Sequence, residues 1–151
     1  MSIYTILNES QIIYDLKGQS KEEIISELVE SLRFNNQIID IQKVKEAILN
    51  REKLLSTGIG KGFAIPHCKT NAVEGIVAAF GKTIFPIDFD SIDKQPVRLV
   101  LLIASNDKIN SEHLKLLSKV GNLISNEAFI NKLLNTKSSA EILNVLKEAE
   151  K

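Results

Sequence analysis

Two apolar runs, GIVAAFG at 75–81 and PVRLVLLIA at 96–104, constrain this chain more than any other feature. Each is rich in β-branched residues, bounded by glycine or proline and too short for a helix, so both read as strands. Neither alternates apolar with polar. A strand that is apolar on both faces must be covered on both, which requires helical layers above and below a sheet. The rest of the sequence supplies those layers. Ser20 with Glu23 forms a capping box, and Ile24, Leu28, Val29 and Leu32 recur at helical spacing, giving a helix over 21–33. Asp40 caps a second helix with Ile41, Val44, Ile48 and Leu55 on one stripe and Arg51 near its end. A third starts at Asn110 or Ser111 and carries His113, Leu116, Leu117, Val120 and Ile124. A shorter helix over 127–134 follows, and Ser138 with Glu141 boxes a last one. Residues 11–16 form a short strand closed by Gly18. The segment FPIDFD at 85–90 reads as an edge strand or loop, because Pro86 cannot serve an interior ladder. The expectation is an α/β (α+β) fold: a single domain over 1–151, with a mixed β-sheet flanked by helices. Arg98, a charge inside the second apolar run, sets the local strand packing in question.

Composition narrows the function. The chain of 151 residues suits one domain with a real core, and a hydrophobic content of 44% excludes wholesale disorder. Its 19 basic and 19 acidic residues cancel, so no sequence-wide attraction to nucleic acid or another polyanion is implied. The start, MSIYTILNESQ, lacks the basic and apolar regions of a signal peptide, and no apolar run approaches the roughly 20 residues of a membrane helix. A cytoplasmic protein without membrane insertion is expected. The single cysteine, Cys68, rules out an intramolecular disulfide, and with two histidines it cannot build a cysteine–histidine zinc site, so no metal is expected.

The stretch STGIGKGFAIPH at 56–67 holds three of the seven glycines and one of the two histidines. Two nucleotide motifs fail on it. A dinucleotide fingerprint needs glycine where Phe63 stands, and a phosphate loop needs serine or threonine where Gly62 follows Lys61 and glycine where Leu55 stands. No nucleotide cofactor is expected. The glycines either shape a tight connection or let consecutive amides turn toward an anion. A lone His67 could be a satisfied structural side chain; equally, its neutral imidazole is a competent nucleophile, presented here from a backbone stiffened by Pro66. His113 heads the buried stripe of its helix. A helix N-terminus disfavours imidazolium, so this ring is either a histidine at the edge of the core or a neutral donor to phosphate.

These residues resemble the IIA domains of the bacterial phosphoenolpyruvate-dependent sugar phosphotransferase system, of the fructose/mannitol type with its nitrogen-regulatory relatives. The likeness is carried by Arg51-Glu52, Thr57-Gly58-Ile59-Gly60 and Ala64-Ile65-Pro66-His67, then by Pro96-Val97 and the segment with His113, Leu114 and Leu117. It spans nearly the whole chain. It implies that His67 is the phosphoryl acceptor, His113 a second active-site histidine and Arg51 the arginine beside the phosphoryl group, with Thr57, Gly58, Ile59 and Gly60 as further donors. The implied partners are phosphorylated HPr as donor and a IIB cysteine as acceptor, in sugar uptake. The nitrogen-regulatory branch implies instead a switch set by the phosphorylation of His67. Cys68 departs from the glycine common after the phosphorylated histidine, and it reads as a buried, inert thiol rather than a carrier.

Overall fold

The computed structural model describes residues 2–151. Its elements run β1 (Ile12–Leu16), α1 (Lys21–Glu30), α2 (Ile41–Leu54), β2 (Gly58–Gly60), β3 (Phe63–Ala64), β4 (His67–Lys69), β5 (Ile76–Ile87), β6 (Val97–Ser105), α3 (Ser111–Ile124), α4 (Glu127–Leu134) and α5 (Ser139–Ala149). Three helices begin where the sequence places a cap. The side chains of Ser20, Asp40 and Ser138 accept hydrogen bonds from the backbone amides of Glu23, Lys43 and Glu141 respectively, three residues into each first turn.

The sheet is mixed, in the order β1-β5-β6-β3-β2. The two apolar runs form its centre: β5 and β6 pair antiparallel from Ile76 opposite Ser105 to Ile87 opposite Val97. Their side chains alternate between two cores. Val77, Ala79, Val100, Leu102 and Ala104 face the core that holds Ile24, Leu28, Val44 and Ile48 of α1 and α2. Ile76, Ala78, Phe80, Leu99, Leu101 and Ile103 face the one that holds Leu116, Val120, Leu133 and Leu146 of α3–α5. Both faces are thus covered, as continuous apolar strands require.

β3 and β4 both run parallel to β6, β3 beside Leu99 and Val100 and β4 beside Ile103, Ala104 and Ser105. They lie end to end, joined through Ile65 and Pro66, whose carbonyl still accepts from Ile103. A proline here removes one donor and leaves the edge otherwise paired. His67 therefore enters β4 at a fixed register.

Two expectations are corrected and the open question of Arg98 is answered. The segment 85–87 belongs to β5 itself, which passes Pro86 by a break in register between Lys82 and Ile87. Arg98 fits at that break: its Nε and Nη2 donate to the carbonyl of Thr83 at 3.1 and 3.0 Å, so the charge sits on an irregular stretch of ladder. Leu55 does not join the buried stripe of α2. The helix ends at Leu54, and Leu55 is extended and 70% exposed. Far from these elements, the Glu150 carboxylate accepts the amides of Ile3 and Tyr4, both at 2.9 Å, and clasps the start of the chain to its end.

Candidate functional site

A cleft at one end of β4 is lined by Arg51, Leu54, His67, Lys69, His113 and Leu114, among others. Three separate elements deliver its polar groups. Arg51 stands in the last turn of α2, where Nη1 donates to the Leu55 carbonyl at 2.9 Å and so covers one of the carbonyls a helix end leaves open. His67 opens β4. His113 stands in the first turn of α3, only 3% exposed. The two imidazole rings lie 5.6 Å apart, centroid to centroid, at 53° to one another. Arg51, His67 and His113, picked out in the sequence, meet here.

The hydrogen bonds decide what His67 can do. Its Nδ1 lies 2.7 Å from the carbonyl oxygen of Ile65. A carbonyl only accepts, so Nδ1 carries the hydrogen and Nε2 keeps its lone pair. Burial holds the His67 pKa below its ordinary value, and the Arg51 charge lowers it further, against opposing contributions from the Ile65 carbonyl and Glu52. His113 is pushed down to about 4 by burial, with the His67 and Lys69 charges acting the same way. Both rings are neutral at pH 7. A neutral ring with a free nitrogen is a nucleophile, and a fixed guanidinium beside it suits an anionic electrophile.

Cys68 also borders the cleft but is buried in the core under α1 and α2, and burial raises its thiol to about 12. A thiol so placed is inert. Lys69, two residues beyond His67 and on the same side of the strand, donates from its ammonium to the Asn110 side chain.

The glycine-rich segment makes the tight connection that is one of its two readings in the sequence. Gly60, Lys61 and Gly62 all have positive φ, 100°, 57° and 75°, and together make the turn between β2 and β3. None of Thr57, Gly58, Ile59 and Gly60 is among the residues lining the cleft. The Thr57 amide and hydroxyl both donate to Glu52, at 2.9 and 2.5 Å, and the Gly58 amide donates to Ser56 Oγ at 3.0 Å. The Thr57 donors, already engaged with a buried carboxylate, are not free for a phosphoryl group. Gly58 faces Ser91 instead, so tightly that a Cβ there would lie 2.2 Å from Ser91 Oγ.

Sequence reasoning gave no role to Glu52, Lys69 or Ser105. Glu52 is 5% exposed and receives, besides Thr57, the Lys21 ammonium at 3.2 Å. Ser105 ends β6 and meets His113 Nδ1 at 2.6 Å. A polar residue closing the apolar run after Arg98 was the available signal.

Residues 5–149 match the family model of the phosphoenolpyruvate-dependent sugar phosphotransferase system, EIIA 2. The chain belongs to this family. The EIIA chain is 38% identical over its whole length to the "PTS system fructose-specific EIIABC component" of Bacillus subtilis strain 168, of which it spans 24%. Among solved structures it resembles the nitrogen regulatory protein IIA-Ntr of Neisseria meningitidis, with a TM-score of 0.89 and 33% identity, covering 95% of this chain and 98% of that one. It also resembles the enzyme IIAMtl of Escherichia coli solved in complex with phosphorylated enzyme IIBMtl. There the TM-score is 0.80 at 26% identity, covering 94% of this chain and 97% of that one. No described helix of this EIIA chain is long and apolar enough to cross a membrane.

Proposed function

We propose that this EIIA chain is a phosphocarrier: His67 accepts a phosphoryl group from phosphorylated HPr and passes it to a cysteine of a IIB component in fructose/mannitol-type sugar uptake. The observation that carries the reading is the hydrogen bond from His67 Nδ1 to Ile65, which leaves Nε2 unprotonated in a cleft shared with Arg51 and His113. The Nε2 lone pair forms a bond to phosphorus while the donor's P–N bond breaks and its electron pair returns to the donor imidazole. In the second step a IIB thiolate attacks the same phosphorus and His67 recovers its lone pair. Such transfers need positioning and charge stabilisation above all. Arg51 supplies a permanent charge and a planar set of donors. The exposed Leu54 and Leu114, 82% and 63%, give the rim an apolar surface on which a protein partner can sit.

Incubation with phosphoenolpyruvate, enzyme I and HPr should add one acid-labile phosphoryl group by intact mass. His67→Ala should abolish it, and label surviving that change overturns the assignment. Arg51→Ala should slow transfer by roughly 10²–10³-fold, the usual cost of a donor that meets transition-state charge.

A regulatory reading shares this chemistry and is favoured by the close likeness to a nitrogen regulatory IIA-Ntr over almost all of that protein. In it, the added charge of roughly −1.5 to −2 on His67 alters a surface that regulatory partners bind. Adjacent sugar-specific IIB and IIC genes would favour transport; partners captured differently by His67→Ala and His67→Asp would favour regulation.

A further inference from the structure

His113 can assist the transfer proposed above only if it presents a hydrogen, not a lone pair, to phosphoryl oxygens. A neutral imidazole carries one hydrogen on one of two nitrogens. Which nitrogen holds it follows from Ser105.

Ser105 is the last residue of β6 and fully buried, and its Oγ lies 2.6 Å from His113 Nδ1. The hydrogens can be placed in two ways. If Nδ1 donates to Oγ, the serine hydroxyl hydrogen has no acceptor among the described residues, since His113 is the only partner that Oγ meets. A buried donor left without a partner disfavours that arrangement by about 5- to 150-fold. If Oγ donates to Nδ1 instead, both groups are satisfied and the ring hydrogen is on Nε2. The strand ladder keeps the serine in place: Ser105 pairs with Ile76 on one side and Lys69 on the other, and its carbonyl accepts the Thr70 amide at 2.9 Å.

We infer that Ser105 is a positioning residue that fixes His113 as the Nε2–H tautomer, making it a hydrogen-bond donor toward the group carried by His67. The two histidines are then held in opposite tautomers by two different partners. The Ile65 carbonyl forces a hydrogen onto His67 Nδ1 and frees a lone pair; the Ser105 hydroxyl occupies the His113 Nδ1 lone pair and frees a hydrogen. One ring is left to attack and the other to donate, with neither needing to be charged.

The inference rests on the phosphocarrier reading for its purpose, but its first test does not. Long-range ¹H–¹⁵N correlation spectra of the imidazoles at pH 7, on the unphosphorylated protein, should show His113 protonated at Nε2 and His67 at Nδ1. Ser105→Ala should shift His113 toward a mixture of tautomers and slow phosphoryl transfer from phosphorylated HPr by roughly tenfold, a fraction of the loss expected for removing a donor outright. Ser105→Thr, which keeps the hydroxyl, should restore the tautomer and most of the rate. A wild-type His113 protonated at Nδ1 overturns the inference, as does a Ser105→Ala protein whose His113 tautomer is unchanged, whatever its rate. Failure of His67 as acceptor would appear separately, as label surviving His67→Ala.

Discussion

The two halves of one continuous segment, 56–60 and 65–69, treat their polar groups in opposite ways. In the first, the Thr57 amide and hydroxyl and the Lys21 ammonium all end on the Glu52 carboxylate, while Ser56 takes the Gly58 amide. Every one of those groups is answered from within the chain. In the second, His67 keeps Nε2 unengaged, and Arg51 beside it has further guanidinium hydrogens beyond the one given to Leu55. The difference teaches where the fold stops stabilising itself and starts offering groups to something else. A buried carboxylate with three donors locks the end of α2 to the β2–β3 hairpin, and the neighbouring half is thereby held still enough to leave its own groups open.

The comparison breaks if the first half proves dispensable for stability. Glu52→Ala leaves two Thr57 donors unanswered and the nearly buried Lys21 ammonium with only the exposed Asp90 carboxylate at 3.5 Å, and it should lower unfolding free energy by about 3–5 kcal/mol in urea denaturation. A change under 1 kcal/mol would mean the network is solvated and holds nothing. Gly58→Ala tests the same half by packing. Its Cβ meets Ser91 Oγ at 2.2 Å, and the resulting overpacking should cost about 1–3 kcal/mol. Ser91→Gly should recover part of it in a double-mutant cycle, because it removes the hydroxyl and Cβ while the Ser91 Cα stays 3.1 Å from the added methyl.

The second half should show itself through pH. Folded His113 stays neutral until about 4, while the unfolded chain takes up that proton near the ordinary 6.5. The unfolded state therefore binds more protons across this window, so stability should fall as pH drops from 6.5 toward 4 and the loss should level off below it. His67 acts in the same direction. The denaturation midpoint of the His113→Gln protein, followed across that range, should decline less steeply than the wild type's. Parallel curves would show that burial does not hold His113 neutral.

Much of this arrangement was legible in the sequence, for reasons that can be named. The strands β5 and β6 announced themselves because both faces are apolar, and Ser20, Asp40 and Ser138 because capping is local chemistry. Arg51, His67 and His113 were found through a motif and a helical stripe. The strands β2, β3 and β4 were not, since two or three residues carry no period and their pairing with β6 depends on contacts remote in sequence. The same distance hid the fate of Thr57, whose donors looked free until the fold brought Glu52 beneath them. Ser105 and His113 are close in sequence, yet the turn between them had to be built before their hydrogen bond could be seen.

The clasp of Glu150 on Ile3 and Tyr4 has a consequence for how such a unit can be joined to others. Entrance and exit of the polypeptide lie side by side, so a flanking segment at either end departs from one small region of the surface. A module with that geometry can be spliced into a longer polypeptide, or circularly permuted with a short linker, without pulling its sheet apart. The order of pieces along a gene could then vary while the histidine pair keeps its own frame.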